Sequence, residues 1–276
     1  MRRVLRVLLL VAILAVVLYP LVWMVGTSVK SPEEIVSNIG LIPDEFTPGN
    51  FAEGWSHFDL GFGRFFANSV LVAGLTVLGN VISCLLAAYA LGRLRFRLRG
   101  MWFAVMIGTL LLPGHVLIIP QYILYKSLGW VGGDFPYLPL LVPQFLATEA
   151  FFVFLMVQFM RGIPRELDEA ATIDGAGPYA IFRYVILPLS RPALVTTAIF
   201  SFIWTWNDFF RQLVFLSDLS DYTVPVALTL FIDSTSESAV GPMFAMSLLS
   251  LVPVFLFFVA FQRMLVEGIN TSGLKG

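Results

Sequence analysis

Residues 169–177 read Glu169-Ala170-Ala171-Thr172-Ile173-Asp174-Gly175-Ala176-Gly177, followed by Phe182 and then Leu187-Pro188-Leu189-Ser190-Arg191-Pro192. This is the most polar and most punctuated stretch in the second half of a very apolar chain. Pro164 suits the first position of a helix, where no backbone donor is required. Glu166, Asp168 and Glu169 follow in the first turns, where carboxylates complement the helix dipole. Ala170 and Ala171 favour helix and present a low profile to a neighbour. Gly175 suits the left-handed conformation that terminates a helix. Pro178 opens a second short helix, with Tyr179, Phe182 and Ile186 expected on one apolar stripe. The stretch therefore predicts helix, glycine turn and helix, placed between two membrane spans. On these residues alone it is either a plain connection or a docking element.

Working outward, the composition fixes the setting. The chain has 276 residues, 58% hydrophobic and only 13% charged. A soluble domain carries about 25% charge, so a water-facing surface is excluded and an all-α polytopic membrane protein is expected. The net charge of -1 gives no pointer to nucleic acid. Cys84 is the single cysteine, which excludes an intramolecular disulfide, and His57 and His115 have no second ligand at metal-binding spacing. No metal site is expected.

Six spans are read in order. Val4 to Val25 follows Arg2, Arg3 and Arg6 and is long enough to cross a bilayer. A signal peptide has the same basic start, but this run is longer, lacks a small-residue cleavage site and is followed by further spans. Thr27 to Arg64 is an acidic, proline-broken segment that reads as a solvated external loop or as a docking surface; docking is preferred. Phe65 to Leu91 carries small residues (Ala67, Ser69, Ala73, Gly74, Gly79, Ser83, Ala87, Ala88) that suit close helix packing in lipid. Arg93, Arg95, Arg97 and Arg99 form a basic hairpin assigned to topology alone. Met101 to Tyr125 is broken by Pro113-Gly114 and Pro120, so its backbone needs neighbours or a wet cavity. Pro139 to Met160 holds Thr148 and, near mid-span, Glu149, either a path residue or a carboxylate paired between helices. Pro192 to Phe215 carries Asn207, Asp208 and Arg211, spaced to pair on one helical face; this end, with Trp204 and Trp206, reads equally as an anchor at the outer interface. Val224 to Ile232 is too short to span, and Pro242 to Phe261 is the last span. The expected organisation is 1–64, first span and external loop; 65–262, a five-span core with a loop at 161–191; and 263–276, a tail.

With both termini on one side, thirteen Lys/Arg fall on that side: Arg2, Arg3, Arg6, the four of the basic hairpin, Arg161, Arg165, Arg183, Arg191, Arg263 and Lys275. Lys30, Arg64, Lys126 and Arg211 fall on the other. The bias places residues 161–191 and both termini in the cytoplasm.

The order Glu-Ala-Ala, two residues, Asp-Gly-Ala, then Phe and Leu-Pro resembles the EAA loop of ABC importer permeases. Ser31-Pro32-Glu33-Glu34-Ile35 and Leu41-Ile42-Pro43 resemble the first external loop of the carbohydrate-uptake, maltose-type branch. Trp206-Asn207-Asp208-Phe209 resembles that branch's Trp-Asn-acid-Phe signature, and the glycine-rich tail from Gly268 is similar to the family's C-terminus. Glu149 is not part of the family pattern. The resemblance implies a type I ABC importer permease in a bacterial cytoplasmic (inner) membrane. It implies that Glu169, Ala170, Ala171, Asp174, Gly175, Ala176, Phe182 and Pro188 form a coupling helix and turn against an ATPase. It implies a second permease subunit, two ATPase subunits and an external solute-binding protein. No cofactor is implied in this chain, since ATP and Mg belong to the partner ATPase. The implied solute is a sugar, an oligosaccharide or a polyol such as glycerol 3-phosphate, moved by alternating access.

Glu149, Asn207 and Asp208 are the expected polar residues of the solute path. Two rivals belong to other classes. An ion-coupled secondary transporter should show internal repeats, and none is evident. A membrane-embedded enzyme needs clustered catalytic groups, and Glu149 with His115 is too few. The chain has no phosphate-cradling glycine loop, no serine-nucleophile motif and no His-Glu-x-x-His pattern.

Overall fold

A computed structural model of the chain describes residues 2–233 and 239–272, with side chains at 3–232 and 239–262. The tail residues 273–276 expected to end the chain, and residues 234–238 between residues 224–232 and the last span, lie outside the described residues. All regular structure among the described residues is helical. In chain order the elements are α1 (Arg2–Thr27), α2 (Pro32–Ser37), α3 (Gly49–Ser56), α4 (Phe62–Gly92), α5 (Arg99–Thr109), α6 (Gly114–Ser127) and α7 (Leu138–Leu141). There follow α8 (Ala150–Gly162), α9 (Glu166–Ile173), α10 (Pro178–Ile181), α11 (Leu187–Leu189), α12 (Arg191–Trp206), α13 (Phe210–Phe215), α14 (Val224–Asp233) and α15 (Val240–Ser272). A 3₁₀ turn, Val142–Leu146, follows α7, and a π turn, Phe182–Ile186, joins α10 to α11.

Four stretches are long and apolar enough to cross a membrane: Arg3–Thr27, Phe62–Gly92, Leu138–Gly162 and Val240–Gln262. Two bent pairs bring the number to six if each is one span: α5 with α6, bent by 102°, and Pro178–Leu189 with α12, bent by 69°. The first bend falls at Pro113-Gly114, as the sequence predicts, because proline removes a backbone donor. α14 is the short helix that the sequence excluded as a span. α15 runs continuously to Ser272, so Gly268 to Ser272 are helical rather than an irregular glycine-rich tail.

The chain divides into two compact units, Met1–Ala67 with Thr223–Pro253, and Asn68–Tyr222 with Val254–Gly276. In the first, residues 27–64 are not simply a solvated loop. Lys30 is buried, and its Nζ donates to the carbonyls of Asn38 at 2.7 Å and Gly40 at 2.6 Å. Glu34, 4.0 Å from Lys30 and also buried, accepts from the backbone N–H groups of Asp44 at 2.7 Å and Glu45 at 3.4 Å. A buried charge persists only where it is paired and hydrogen-bonded. Two charges counted from sequence as solvated therefore hold this cap together. Glu33, Asp44, Glu45, Glu53 and Asp59 remain exposed, interleaved with exposed Val36, Ile39, Ile42 and Phe46.

In the second unit α4 passes through two apolar clusters. Val72 packs with Ile118, Tyr137, Leu140 and Phe215. Further along, Cys84, Leu85, Ala88 and Tyr89 pack with Phe152, Met156, Met160 and Ile186. The small residues work as predicted at Gly79, where an added Cβ would sit 2.9 Å from the Phe145 ring and 3.1 Å from the Gln144 carbonyl carbon. Ser83 donates to the Gln144 carbonyl at 2.7 Å. Gly74, by contrast, has nothing within 4 Å of that position. Between the clusters, Thr76 and Asn80 face a cavity.

Candidate functional site

The helix–turn–helix at 164–190 is built largely as its residues predict. α9 carries Glu166, Asp168 and Glu169 in its first turn and is followed by Asp174. Gly175 has φ +83°, the left-handed conformation expected of it. Its N–H donates to the Thr172 carbonyl at 3.0 Å, and that of Ala176 to Ala171 at 2.9 Å, which closes the helix end. Gly177 is extended and Pro178 opens α10. Glu169, Ala170, Asp174 and Gly175 are exposed, as is Ile173 at 86%, while Ala171, Ala176, Phe182 and Pro188 are half-buried.

One expectation fails here. Tyr179, Phe182 and Ile186 do not share a stripe: Tyr179 is 77% exposed and Ile186 fully buried. The π turn at 182–186 widens the helix locally and rotates the residues beyond it, so a regular 3.6-residue period misplaces them. Phe182 lies against the Tyr89 ring, with centroids 5.0 Å apart.

A second correction concerns the basic hairpin. Arg93 does more than set topology. It is buried, its Nη1 lies 3.1 Å from Asp168 Oδ2, and its Nη2 donates to the carbonyls of Met160 at 2.6 Å and Ile163 at 2.7 Å. The guanidinium thus closes the end of α8 and ties α4 to α9. Tyr89 Oη donates to the Pro178 carbonyl at 2.7 Å, and Arg165 Nη2 to that of Gly92 at 3.3 Å. Leu85, Tyr89 and Arg93 are four residues apart, so the arginine continues the buried face of α4. That spacing was the signal in the sequence.

Three interruptions of the helices converge on one cavity of about 600 Å³. His115 comes from the start of α6 after the first bend. Glu149 comes from the break between the 3₁₀ turn and α8, where Ala147 is left-handed. Asn207 and Asp208 come from the break between α12 and α13. Gln144, Thr76, Asn80, Ser201, Thr205 and Arg211 add further polar lining. The structure therefore brings Glu149, Asn207 and Asp208 together, although Glu149 lies at a helix break rather than within a continuous helix.

The fifth span is shorter than expected, since its helix stops at Trp206. Asn207 and Arg211 consequently do not pair along one helical face. Asn207 Nδ2 donates to the Ile203 carbonyl at 2.7 Å. Asp208 Oδ1 accepts from the backbone N–H of Arg211 at 3.1 Å, and the Arg211 guanidinium reaches Glu149 at 3.8 Å. Thr76, Asn80, Gln144 and Ser201 were missed by sequence reading. Asn80 and Gln144 are each less than 5% exposed, and Asn80 Nδ2 donates to Ser201 Oγ at 2.9 Å. Thr76 and Asn80, four apart on one span, were the legible sign.

The pattern of the family described as "Binding-protein-dependent transport system inner membrane component" matches residues 79–270. The trehalose/maltose transport system permease protein MalG of Thermococcus litoralis is 30% identical over 276 residues, 100% of this chain and 98% of its own. The trehalose transport system permease protein SugB of Mycobacterium tuberculosis is 32% identical, with 94% of this chain and 93% of its own covered. Among solved structures, a bacterial ABC transporter involved in the import of the acidic polysaccharide alginate has a chain that superposes with a TM-score of 0.82 at 23% identity, covering 94% of this chain and 95% of that one. That likeness shows the ABC importer permease fold. A multi-pass membrane chain with this fold and this family match is a transport subunit, and it belongs to the inner-membrane components of binding-protein-dependent transport systems.

Proposed function

We propose that this chain is one permease subunit of an ATP-driven importer for a sugar, an oligosaccharide or a polyol-type solute such as glycerol 3-phosphate. Two ATPase subunits, a second permease and an external binding protein complete the assembly. The names of the relatives support the carbohydrate class, and the family match leaves the ion-coupled alternative without support.

The observation that carries the mechanism is the path from α9 to the cavity. α9 presents Leu167, Glu169, Ala170 and Ile173 outward for the ATPase. Its Asp168 is tied to Arg93, the residue directly after α4. Thirteen residues back on α4, about 20 Å at the rise of a helix, Asn80 lines the cavity and bonds Ser201 on α12. ATP-driven closure of the ATPase pair moves α9, and a stiff α4 carries that movement to the cavity walls. Irregular backbone at membrane depth is tolerated where it lines a wet space. The three helix breaks around Glu149, Asn207 and Asp208 are therefore read as the solute path. Rigid-body gating of two halves then alternates its exposure. The exposed acids and apolar residues of 33–59 form the binding-protein docking face.

The test uses the complex purified through a tag on this chain. A co-purifying ATPase whose activity rises with solute-loaded binding protein is expected. A homogeneous chain that carries solute on an ion gradient alone would refute the proposal.

A further inference from the structure

We propose that the cleft between the α4–α5 turn and the start of α9 binds the phosphodiester headgroup of an anionic membrane lipid. The cleft encloses about 380 Å³ and is lined by Arg95, Phe96, Arg99 and Arg165. Positive loops follow from membrane topology. Topology does not account for convergence, and Arg165 comes from a segment remote in sequence from Arg95 and Arg99. Like charges around one opening disfavour one another unless an anion offsets them. Among the described residues, no carboxylate lies within ion-pair distance of any of the three. The neighbouring Asp168 and Glu169 line an adjoining cleft with Arg95 and Arg165, and Asp168 is already engaged by Arg93.

Two of the guanidinium groups are held in place. Arg99 Nη1 donates to the Leu94 carbonyl at 3.1 Å and Arg165 Nη2 to the Gly92 carbonyl at 3.3 Å. A guanidinium has five N–H donors in a planar fork suited to phosphate, so each keeps donors for a ligand. The surroundings favour a lipid over a soluble anion. Phe96, Leu98, Met101 and Trp102 are 43–55% exposed beside the cleft, at the entry to α5. α5 is half of a bent pair apolar enough to enter the membrane. Trp and Arg together mark a membrane interface, and basic pockets between helices there hold anionic headgroups. Arg165 directly precedes α9, so an occupied cleft holds the start of that helix at the membrane surface. The binding stands independently of the coupling role proposed above; its effect on transport rests on that role.

The test places the complete transporter in nanodiscs of phosphatidylcholine, alone or with phosphatidylglycerol, and measures lipid retention by native mass spectrometry alongside ATPase activity. Wild type is expected to retain phosphatidylglycerol selectively. Retention should fall about fivefold for R95Q, and on the order of a hundredfold for R95Q/R99Q/R165Q, at the usual worth of a basic residue near an anionic surface. Arg95 makes no hydrogen bond or ion pair among the described residues, so R95Q leaves the fold intact, and R95K should retain the lipid if the triple variant fails to assemble. Unchanged retention in R95Q overturns the proposal. So does inorganic phosphate reproducing the lipid's effect in phosphatidylcholine discs, or R95Q losing ATPase subunits while keeping lipid. Loss of retention with unchanged ATPase activity would overturn the α9 tether alone.

Discussion

Replacing Gly175 tests whether the turn after α9 must keep its shape. The residue sits at φ +83°, and a Cβ added there meets nothing within 4 Å. Substitution therefore creates no clash, and its cost is backbone strain alone. That cost is about 1–2 kcal/mol for an L-residue forced into the left-handed region, least for Asn and larger for β-branched or bulky side chains. Against a domain stability of about 5–15 kcal/mol the fold survives, but the ratio of formed to frayed turn falls roughly 5–30-fold. The two bonds most directly affected are those of the Gly175 and Ala176 N–H groups to Thr172 and Ala171. Membrane levels of Gly175→Asn, Gly175→Ala and Gly175→Leu should match wild type. ATPase stimulation by loaded binding protein should fall in the order Gly, Asn, Ala, Leu. Full stimulation in the Leu variant, or Asn behaving worse than Leu, would refute the reasoning.

Other outcomes follow from the same geometry. Arg93→Ala strands Asp168 and two carbonyls, a loss of about 3 kcal/mol or more that should lower the melting temperature of the complex, whereas Asp168→Asn keeps Arg93 on its two carbonyls and should assemble yet hydrolyse more ATP per solute moved. The Glu149–Arg211 pair is about one-third exposed at 3.8 Å, so a double-mutant cycle with Glu149→Gln and Arg211→Gln should give a coupling of about 1 kcal/mol or less, while uptake or solute preference per assembled complex changes; unchanged uptake and preference would remove these residues from the path. Gly79→Val drives its Cβ against Phe145 and the Gln144 backbone and should destabilise by roughly 1–3 kcal/mol, read as a lower melting temperature. Cysteines at Glu45 or Asp59 should crosslink to the binding protein, and failure across 33–59 with reactive controls elsewhere would remove the docking role.

Much of the fold was legible because apolar runs of membrane length and proline breaks are one-dimensional signals. The turn at Gly175 was legible because only a few residue types suit a left-handed helix end. What stayed hidden depends on three-dimensional closure. Lys30 and Glu34 look like solvated loop charges until the chain folds over them and Asp44 and Glu45 supply N–H donors. Arg93 sits in a run of arginines whose other members are not buried; its spacing from Leu85 and Tyr89 marks the buried face, but its partners Ile163 and Asp168 are met only in the fold. Tyr179 and Ile186 were assigned to one face because a π turn has no strong sequence signature. Asn207 and Asp208 were recognised as polar residues near a membrane path, but the helix break that turns Arg211 toward Glu149 follows no clear breaker residue.

The most direct measurement is uptake into proteoliposomes holding the complete transporter, with ATP trapped on the side of α9 and loaded binding protein on the other. Solute should accumulate only with hydrolysable ATP, with no ion gradient imposed, and accumulation should fall sharply when the turn after α9 carries Gly175→Leu. Accumulation driven by an ion gradient in the absence of ATP, or full ATP-driven uptake by the Gly175→Leu complex, would contradict the coupling of α9 to the cavity.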